Sequence, residues 1–157
     1  MYAQKEMREY VKCKDASCIK SEKIILMSDG SYIFQESTDS GSKQKLIGKW
    51  NTISDSSILL INYNNNQITY YSKSTLETEF LISSSDLQSW DMIETKLTEL
   101  VQTDEFYLME KNNQSLDLNT KRRILKSLIG SMLPKVIDGE LVDIYVEREI
   151  MSSKRKH

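Results

Sequence analysis

Histidine, glycine and proline are scarce in this chain of 157 residues, which has one histidine, five glycines and one proline. Histidine is the usual general base, the usual partner of a serine or cysteine nucleophile, and the commonest metal ligand. The only histidine is His157, in a terminal segment of the kind that frays. Catalytic triads and histidine-rich metal sites are therefore improbable.

Other absences narrow the function further. None of the five glycines forms a phosphate-binding loop motif, and the two cysteines lack the spacing of a zinc site. The longest aliphatic run, Ile58–Ile61, falls far short of the ~20 residues of a membrane helix. A net charge of −2 argues against a dedicated nucleic-acid binder. We expect no cofactor, metal, nucleic acid or membrane span, and we expect no enzyme.

The composition is that of one folded domain. Hydrophobic residues make up 39% of the chain and charged residues 28%, which is typical of globular proteins and not of disorder. A chain of this length can bury roughly 70% of its unfolded surface. We therefore predict a single domain over residues 1–157 with no second core.

Cys13 and Cys18 flank a short polar loop, and we favour a disulfide between them over two free thiols. Tyr2-Ala3-Gln4 is similar to the small-residue end of a secretory signal, with Met1 added. Both features favour an exported protein, located in the periplasm, the cell envelope or outside the cell. We expect that any signal peptide has already been removed.

Residues 23–111 alternate short strand-like runs with turn residues. Asp29-Gly30 and the asparagines at 64–66 are strong turn signals. Residues 84–101 fit two interpretations. One is a helix with Ser85 or Asp86 as its N-cap, and the other is a strand. We choose strands at 91–97 and 105–110. With these, eight strands are predicted in this region, at 23–27, 31–36, 43–51, 57–63, 67–72, 76–82, 91–97 and 105–110.

The C-terminal part differs from the middle. Apolar residues from Ile124 to Leu133 recur with helical period, which predicts a helix over 119–133 that begins at Asn119 or Thr120 and ends before Pro134. Residues 140–150 read as a final strand and 152–157 as a disordered tail. Residues 1–22 form an N-terminal segment in this scheme.

This order resembles the exported bacterial lipocalin-like, or calycin-like, barrels. The similarity lies in "IILMSDGSYIF", "GKW", "SSILLIN" and "TKLTELVQTDEFYLMEK", over about two thirds of the chain. It implies a mainly β fold, an antiparallel up-and-down barrel with one C-terminal helix and a final strand. It also implies one end closed to water and a cavity or surface for binding at the other.

Aromatic residues on alternating strand positions are the candidate ligand contacts, although such residues more often fill a core or pair across strands. For Trp50 we favour a plug in the barrel floor, with Gly48 allowing close packing. A small apolar ligand or an envelope component is the first expectation. A protein–protein interaction module, such as an inhibitor, an immunity-type protein or an envelope accessory protein, is the second expectation. An enzyme that uses paired carboxylates such as Glu77 and Glu79 on one strand face is the third. The candidate ligand contacts are Tyr32, Phe34, Trp50, Tyr63 and Tyr70.

Overall fold

The computed structural model describes residues 6–54, 56–62, 66–112 and 117–148. Ten strands and two helices lie in these ranges. In chain order they are β1 (Glu6–Cys13), β2 (Ser21–Met27), β3 (Ser31–Thr38), β4 (Gly41–Ser54), β5 (Ser57–Ile61), β6 (Gln67–Thr75), β7 (Thr78–Ser83), α1 (Leu87–Asn112), α2 (Leu118–Met132), β8 (Val136–Ile137), β9 (Glu140–Leu141) and β10 (Tyr145–Arg148).

Eight of these strands close a barrel in the order β1-β10-β7-β6-β5-β4-β3-β2. Every neighbouring pair in this barrel is antiparallel. The prediction of a mainly β fold with an antiparallel eight-stranded barrel is confirmed. Strands β8 and β9 form a separate hairpin through the turn at Asp138-Gly139.

Two of the predicted barrel strands are wrong. Residues 91–97 and 105–110 lie in helix α1, so the fold has two helices and not one. The alternation of Ile93, Thr95 and Leu97 is misleading because Thr95 is exposed, whereas Trp90, Ile93 and Leu97 lie buried on one helical face. The barrel reaches eight strands through β1 and β10, which flank the predicted region.

Strand β1 lies in residues 1–22, which were predicted as an N-terminal segment outside the barrel. It pairs with β2 from Glu6↔Met27 to Cys13↔Ser21 and with β10 through Tyr10↔Glu147. Its inward face carries Arg8 and Lys12 beside Tyr10, so its hydrophobic alternation is weak in the sequence.

Helix α2 occupies nearly the predicted range, but its N-cap is Asp117 rather than Asn119 or Thr120. The Asp117 side chain accepts a hydrogen bond from the Thr120 backbone N–H at 2.7 Å. Hydrogen bonding from the Thr120 side chain and from this backbone N–H lowers the pKa of the Asp117 carboxyl below its ordinary value. The carboxylate also opposes the unfavourable placement of Arg122 and Arg123 near the helix start.

The predicted strand over 140–150 is interrupted. Residues Glu140–Leu141 belong to the small hairpin, and pairing with β7 and β1 resumes only at Tyr145. Asp143, between them, has a φ of 55°, which breaks the extended backbone. The predicted tail at 152–157 lies outside the described residues.

The two faces of the barrel wall pack against different partners. Inside, buried residues from six strands form one apolar cluster, which comprises Tyr10, Ile24, Leu26, Tyr32, Ile58, Leu60, Leu81 and Tyr145. Outside, β7 and the residue before β10 pack against the helices in a second cluster, which comprises Phe80, Ile82, Trp90, Ile93, Leu97, Leu125, Ile129, Leu133 and Ile144. This outer cluster holds the helices against one side of the barrel only.

The two ends of the barrel differ in what joins the strands. The end that we call the mouth carries the disulfide loop between β1 and β2 and the β3–β4 turn. The other end, the floor, carries the Asp29-Gly30 hairpin turn and the turn between β6 and β7. At the floor, the Trp50 indole Nε1 donates to the Met27 carbonyl at 3.0 Å and the Trp50 backbone N–H donates to the Gly30 carbonyl at 2.9 Å.

Candidate ligand-binding cavity

A cavity of about 210 Å³ opens inside the barrel toward the mouth. We call it the mouth cavity. Its lining comes from the inward positions of β1, β2, β3, β5, β6 and β10, and it is predominantly apolar. The lining residues are Lys12, Glu22, Ile24, Tyr32, Phe34, Leu60, Ile68, Tyr70 and Tyr145.

Strand register explains why these residues meet. Ile24 pairs with Phe34, Leu60 pairs with Ile68, and residues paired directly across antiparallel strands point to the same face. The rings of Tyr70 and Tyr145 meet edge to face, with centroids 5.6 Å apart and planes at 85°. This geometry suits the ring quadrupoles and gives the cavity a rigid aromatic corner.

One ion pair lies at the entrance. The Lys12 Nζ atom is 3.3 Å from Glu22 Oε1 and 4.6 Å from the centroid of the Tyr145 ring. The Tyr145 hydroxyl donates to the same Glu22 oxygen at 3.4 Å. A bound molecule would therefore meet an ammonium, a carboxylate and a phenol on one side and hydrocarbon elsewhere.

A phenol is already neutral at pH 7, and burial moves the phenols of the cavity further from ionisation. Burial is the main cause that raises the pKa of Tyr145 and of Tyr70, and the neighbouring Glu22 carboxylate raises both further. Burial alone raises the pKa of Tyr32. These rings therefore present hydroxyl donors and apolar faces, with no phenolate charge at neutral pH.

The Cys13–Cys18 disulfide, predicted from the sequence, is confirmed and lies beside the mouth. Lys14 in this loop is 3.8 Å from Glu22 Oε2 and 3.3 Å from Asp143 Oδ1. The Asp143 backbone N–H donates to the Cys13 carbonyl at 2.8 Å. The loop is thus tied both to the ion pair at the entrance and to the segment that leads into β10.

Three of the five predicted ligand contacts line the mouth cavity, namely Tyr32, Phe34 and Tyr70. Trp50 is not among its lining residues. The Trp50 indole packs on the inner cluster and donates a hydrogen bond to the Met27 carbonyl at the floor. Tyr63 lies outside the described residues. The structure therefore brings the predicted aromatic residues of β3 and β6 together.

Sequence reasoning missed several lining residues, including Tyr145, Lys12 and Glu22. Tyr145 had a usable signal, because Ile144 and Val146 face the helices and the residue between them must then face the barrel interior. Lys12 and Glu22 lie in the N-terminal segment 1–22, for which no strand was predicted, so neither side chain could be assigned to a strand face.

A second polar group lies inside the barrel, toward the floor. Glu79 Oε2 accepts hydrogen bonds from the Tyr10 and Ser72 hydroxyls, each at 2.6 Å, and lies 3.3 Å from Arg8 Nη1. Burial and the bond to Glu79 raise the pKa of Tyr10. Glu77 is exposed in the β6–β7 turn, so the two glutamates do not share one face as predicted.

Other spaces lie outside the barrel wall. Two grooves of about 390 Å³ and a cavity of about 270 Å³ involve the helices or the outer faces of β1, β7 and β10. Within the described ranges, no group of three or more His, Cys, Asp or Glu residues could hold a metal ion. No helix in the same ranges has the length and apolar character needed to cross a membrane.

Comparison with known proteins adds no relative to this description. No protein-family model, no curated protein and no solved structure matches the chain significantly.

Proposed function

We propose that this protein is a non-catalytic binding protein that holds a small, largely apolar molecule in the mouth cavity. The observation that carries the proposal is the cavity itself, an unfilled space at one end of a barrel whose other end is packed. Protein interiors are close-packed, so a void of this size that is lined by apolar side chains favours occupation by a ligand.

The volume sets the size of the ligand. Apolar cavities of about 150 Å³ accommodate benzene, and drug-sized ligands need roughly 300–1,000 Å³. A cavity of about 210 Å³ therefore suits a single substituted ring or a short branched chain. The edge-to-face pair of Tyr70 and Tyr145 favours the ring, because a third ring can pack against it in the same way.

The entrance sets the polarity of the ligand. Lys12 and Glu22 supply an ammonium and a carboxylate within 3.3 Å of each other, at the only charged part of the lining described. A ligand with one hydroxyl or amine beside its ring would hydrogen-bond there and leave its apolar part inside.

We also propose that the protein is exported. The disulfide supports this location, because such bonds persist in oxidising compartments and are rare in the cytosol. Intact-mass analysis of unreduced, denatured protein taken from its own cells tests the idea. Alkylation of neither cysteine supports export, and alkylation of both contradicts it.

The cavity favours ligand binding over a role as a protein–protein interaction module. A protein that acted only through a surface partner would have no use for an unfilled interior, whereas a ligand-binding barrel requires one. The lipocalin-like resemblance implies a cavity or surface for binding at one end of the barrel, which agrees with this proposal.

Titration calorimetry with toluene and p-cresol tests ligand binding. Both probes are one ring in size, and only p-cresol carries a hydroxyl for the Lys12–Glu22 pair. We expect both to bind the wild-type protein and p-cresol to bind more tightly. Absence of binding by either probe at millimolar concentration would contradict the proposal.

A matched pair of variants assigns the heat signal to the cavity. Ile68→Trp places a large ring at the entrance, where Ile68 lines the mouth cavity. Ile53→Trp makes the same change at a position that is 56% exposed and absent from that lining. Binding should disappear in the first variant and persist in the second; equal effects would contradict the assignment.

A further inference from the structure

A second apolar cavity lies between the outer wall of the barrel and helix α2. It has a volume of about 270 Å³, and Phe80 and Val146 on the barrel side face Leu125 and Ile129 on the helix side. Phe80, Leu125 and Ile129 are almost fully buried, so the space extends into the outer hydrophobic cluster. We call it the helix-side cavity.

This cavity continues into one of the larger grooves. Lys126, Leu141 and Val146 line both the helix-side cavity and a groove of about 390 Å³ along β1 and β10. The shared residues make the two spaces adjacent, with Val11 and Ile144 extending the apolar wall. A molecule longer than one ring can therefore lie there, which the mouth cavity does not permit.

Two cations border the helix-side cavity. Arg122 and Lys126 are four residues apart on α2, hence on the same helical face. Arg122 is exposed and is held by bonds from Nε and Nη2 to the Leu76 carbonyl, at 3.3 and 3.2 Å, which occupy two of its five N–H groups. Lys126 Nζ lies 3.8 Å from Glu140 Oε1, a long contact to a side chain that is 61% exposed.

Such an exposed ion pair is weak and is readily exchanged for another anion. A carboxylate located between Arg122 and Lys126 would gain two charge-assisted hydrogen bonds while its hydrocarbon entered the apolar space behind them. The Arg122 guanidinium, fixed by Leu76, is already positioned for this contact.

We propose that the helix-side cavity binds a free single-chain carboxylate, with the head group on Arg122 and Lys126 and the chain between α2 and the barrel wall. In proportion to the cavity of about 150 Å³ that holds benzene, a volume of about 270 Å³ accommodates about ten carbon atoms. This site is separate from the mouth cavity, since the two share no lining residue.

Calorimetry with decanoate, and with decanol as the uncharged probe of equal length, tests the proposal. Arg122→Gln/Lys126→Gln removes the charges at the cavity, and Lys121→Gln/Arg123→Gln removes two charges from neighbouring positions of the same helix. We expect decanoate to lose about tenfold or more in affinity in the first double variant, with decanol unchanged. The second double variant should leave both affinities unaltered.

Two further variants locate the chain. Val146→Phe fills the region shared by the helix-side cavity and its adjoining groove, and Ile68→Trp obstructs the mouth cavity. Decanoate binding should be lost in the first and retained in the second. The proposal is overturned if decanoate does not bind, if Ile68→Trp abolishes its binding, or if the charge variant at 122 and 126 leaves its affinity unchanged.

The charge variant also decides the matter if Val146→Phe does not fold, because it alters only side-chain ends at the protein surface. If the wild-type protein binds decanoate but neither toluene nor p-cresol, the proposed function is refuted and this inference stands. If it binds toluene but not decanoate, this inference is refuted and the proposed function stands.

Discussion

The floor and the mouth of the barrel are built from the same eight strands but are packed in opposite ways. At the floor, Trp50 and the Asp29-Gly30 hairpin are joined by two hydrogen bonds, and the Tyr10–Glu79 network lies just inside. At the mouth, rings and aliphatic side chains surround an unfilled space bordered by Lys12 and Glu22. Stability is thus concentrated at one end, and the capacity to bind a molecule at the other.

This difference predicts which substitutions should affect stability and which should affect ligand affinity. Changes in the packed region should lower the free energy of unfolding and leave the ligand affinity of the folded protein nearly intact. Changes at the mouth should lower the ligand affinity and leave the free energy of unfolding nearly unchanged, because partly exposed polar groups contribute little to stability. Variants from both regions can therefore test whether stability and ligand affinity are separated between the two ends.

The largest effect on stability is expected from Gly48→Ala. A Cβ atom at position 48 would collide with the backbone carbonyl oxygen of Ile61 and approach Tyr32 Cε1 to 2.7 Å. Backbone cannot yield as a flexible side chain can, so we expect a loss of about 3 kcal/mol in urea denaturation.

Gly130→Ala is the control, because its new Cβ atom would meet only the Val136 side chain, at 3.3 Å. We expect a change within about 1 kcal/mol there, since helix propensity offsets the contact. Equal losses in the two variants would show that close packing at Gly48 is not special.

Tyr10→Phe tests the polar network of the packed end. It removes the hydroxyl that donates to Glu79 Oε2 at 2.6 Å, from a residue with no exposed surface. A hydrogen bond to a charged group contributes about 2 kcal/mol, and we expect that loss in urea denaturation. The affinity for toluene should not change; a large change would mean that the two ends are coupled.

Denaturation at high pH tests whether the tyrosine hydroxyls at the mouth are shielded from water as well as those near the floor. The pKa values of Tyr145 and Tyr10 are raised in the folded protein above their ordinary value of 10.0. The stabilisation is complete below pH 10, where both states are protonated, and is lost as pH rises toward the folded-state pKa values. Each tyrosine should lower the unfolding free energy by about 1.4 kcal/mol per pH unit above 10.

Denaturation at pH 8 and pH 11 measures this loss, and Tyr145→Phe and Tyr10→Phe should each reduce it. If Tyr145→Phe leaves the alkaline loss unchanged, water reaches the Tyr145 hydroxyl in the folded state and the mouth is wetter than its burial indicates.

The smallest effect on stability is expected from Glu22→Gln at the mouth. It removes the partner of Lys12 and Lys14, in a partly exposed pair, and should cost less than about 1 kcal/mol. Its effect should appear in calorimetry, as a several-fold loss of p-cresol affinity with toluene affinity retained. An unfolding loss as large as that of Tyr10→Phe would contradict the division between the two ends.

The sequence predicted the strands whose turns carry clear chemistry. Asp29-Gly30 located the β2–β3 hairpin because Gly30 adopts the positive φ of 90° that such a turn needs. The apolar stripe from Ile124 to Leu133 located α2 for a similarly local reason. The disulfide followed from the short polar loop between its cysteines.

The remaining elements depend on tertiary packing. Whether 91–97 forms a helix or a strand depends on which side chains the barrel wall buries, and Ile93 and Leu97 fit both patterns locally. Strand β1 carries charged residues toward the barrel interior, so only its pairing with β2 and β10 reveals it. The aromatic lining residues Tyr32, Phe34 and Tyr70 could be predicted because their strands alternate clearly in the sequence. The Lys12–Glu22 pair could not, because charged residues that face a barrel interior leave no such pattern.

The most direct test of the central claim is a methyl NMR titration with toluene. Ile24, Leu60 and Ile68 line the mouth cavity, whereas Leu26 and Ile58 belong to the inner cluster but not to that lining. We expect saturable shifts at the first three methyl-bearing residues and little change at the other two. Shifts spread evenly over both groups, or no saturable shift in any of them, would contradict a hollow mouth above a packed floor.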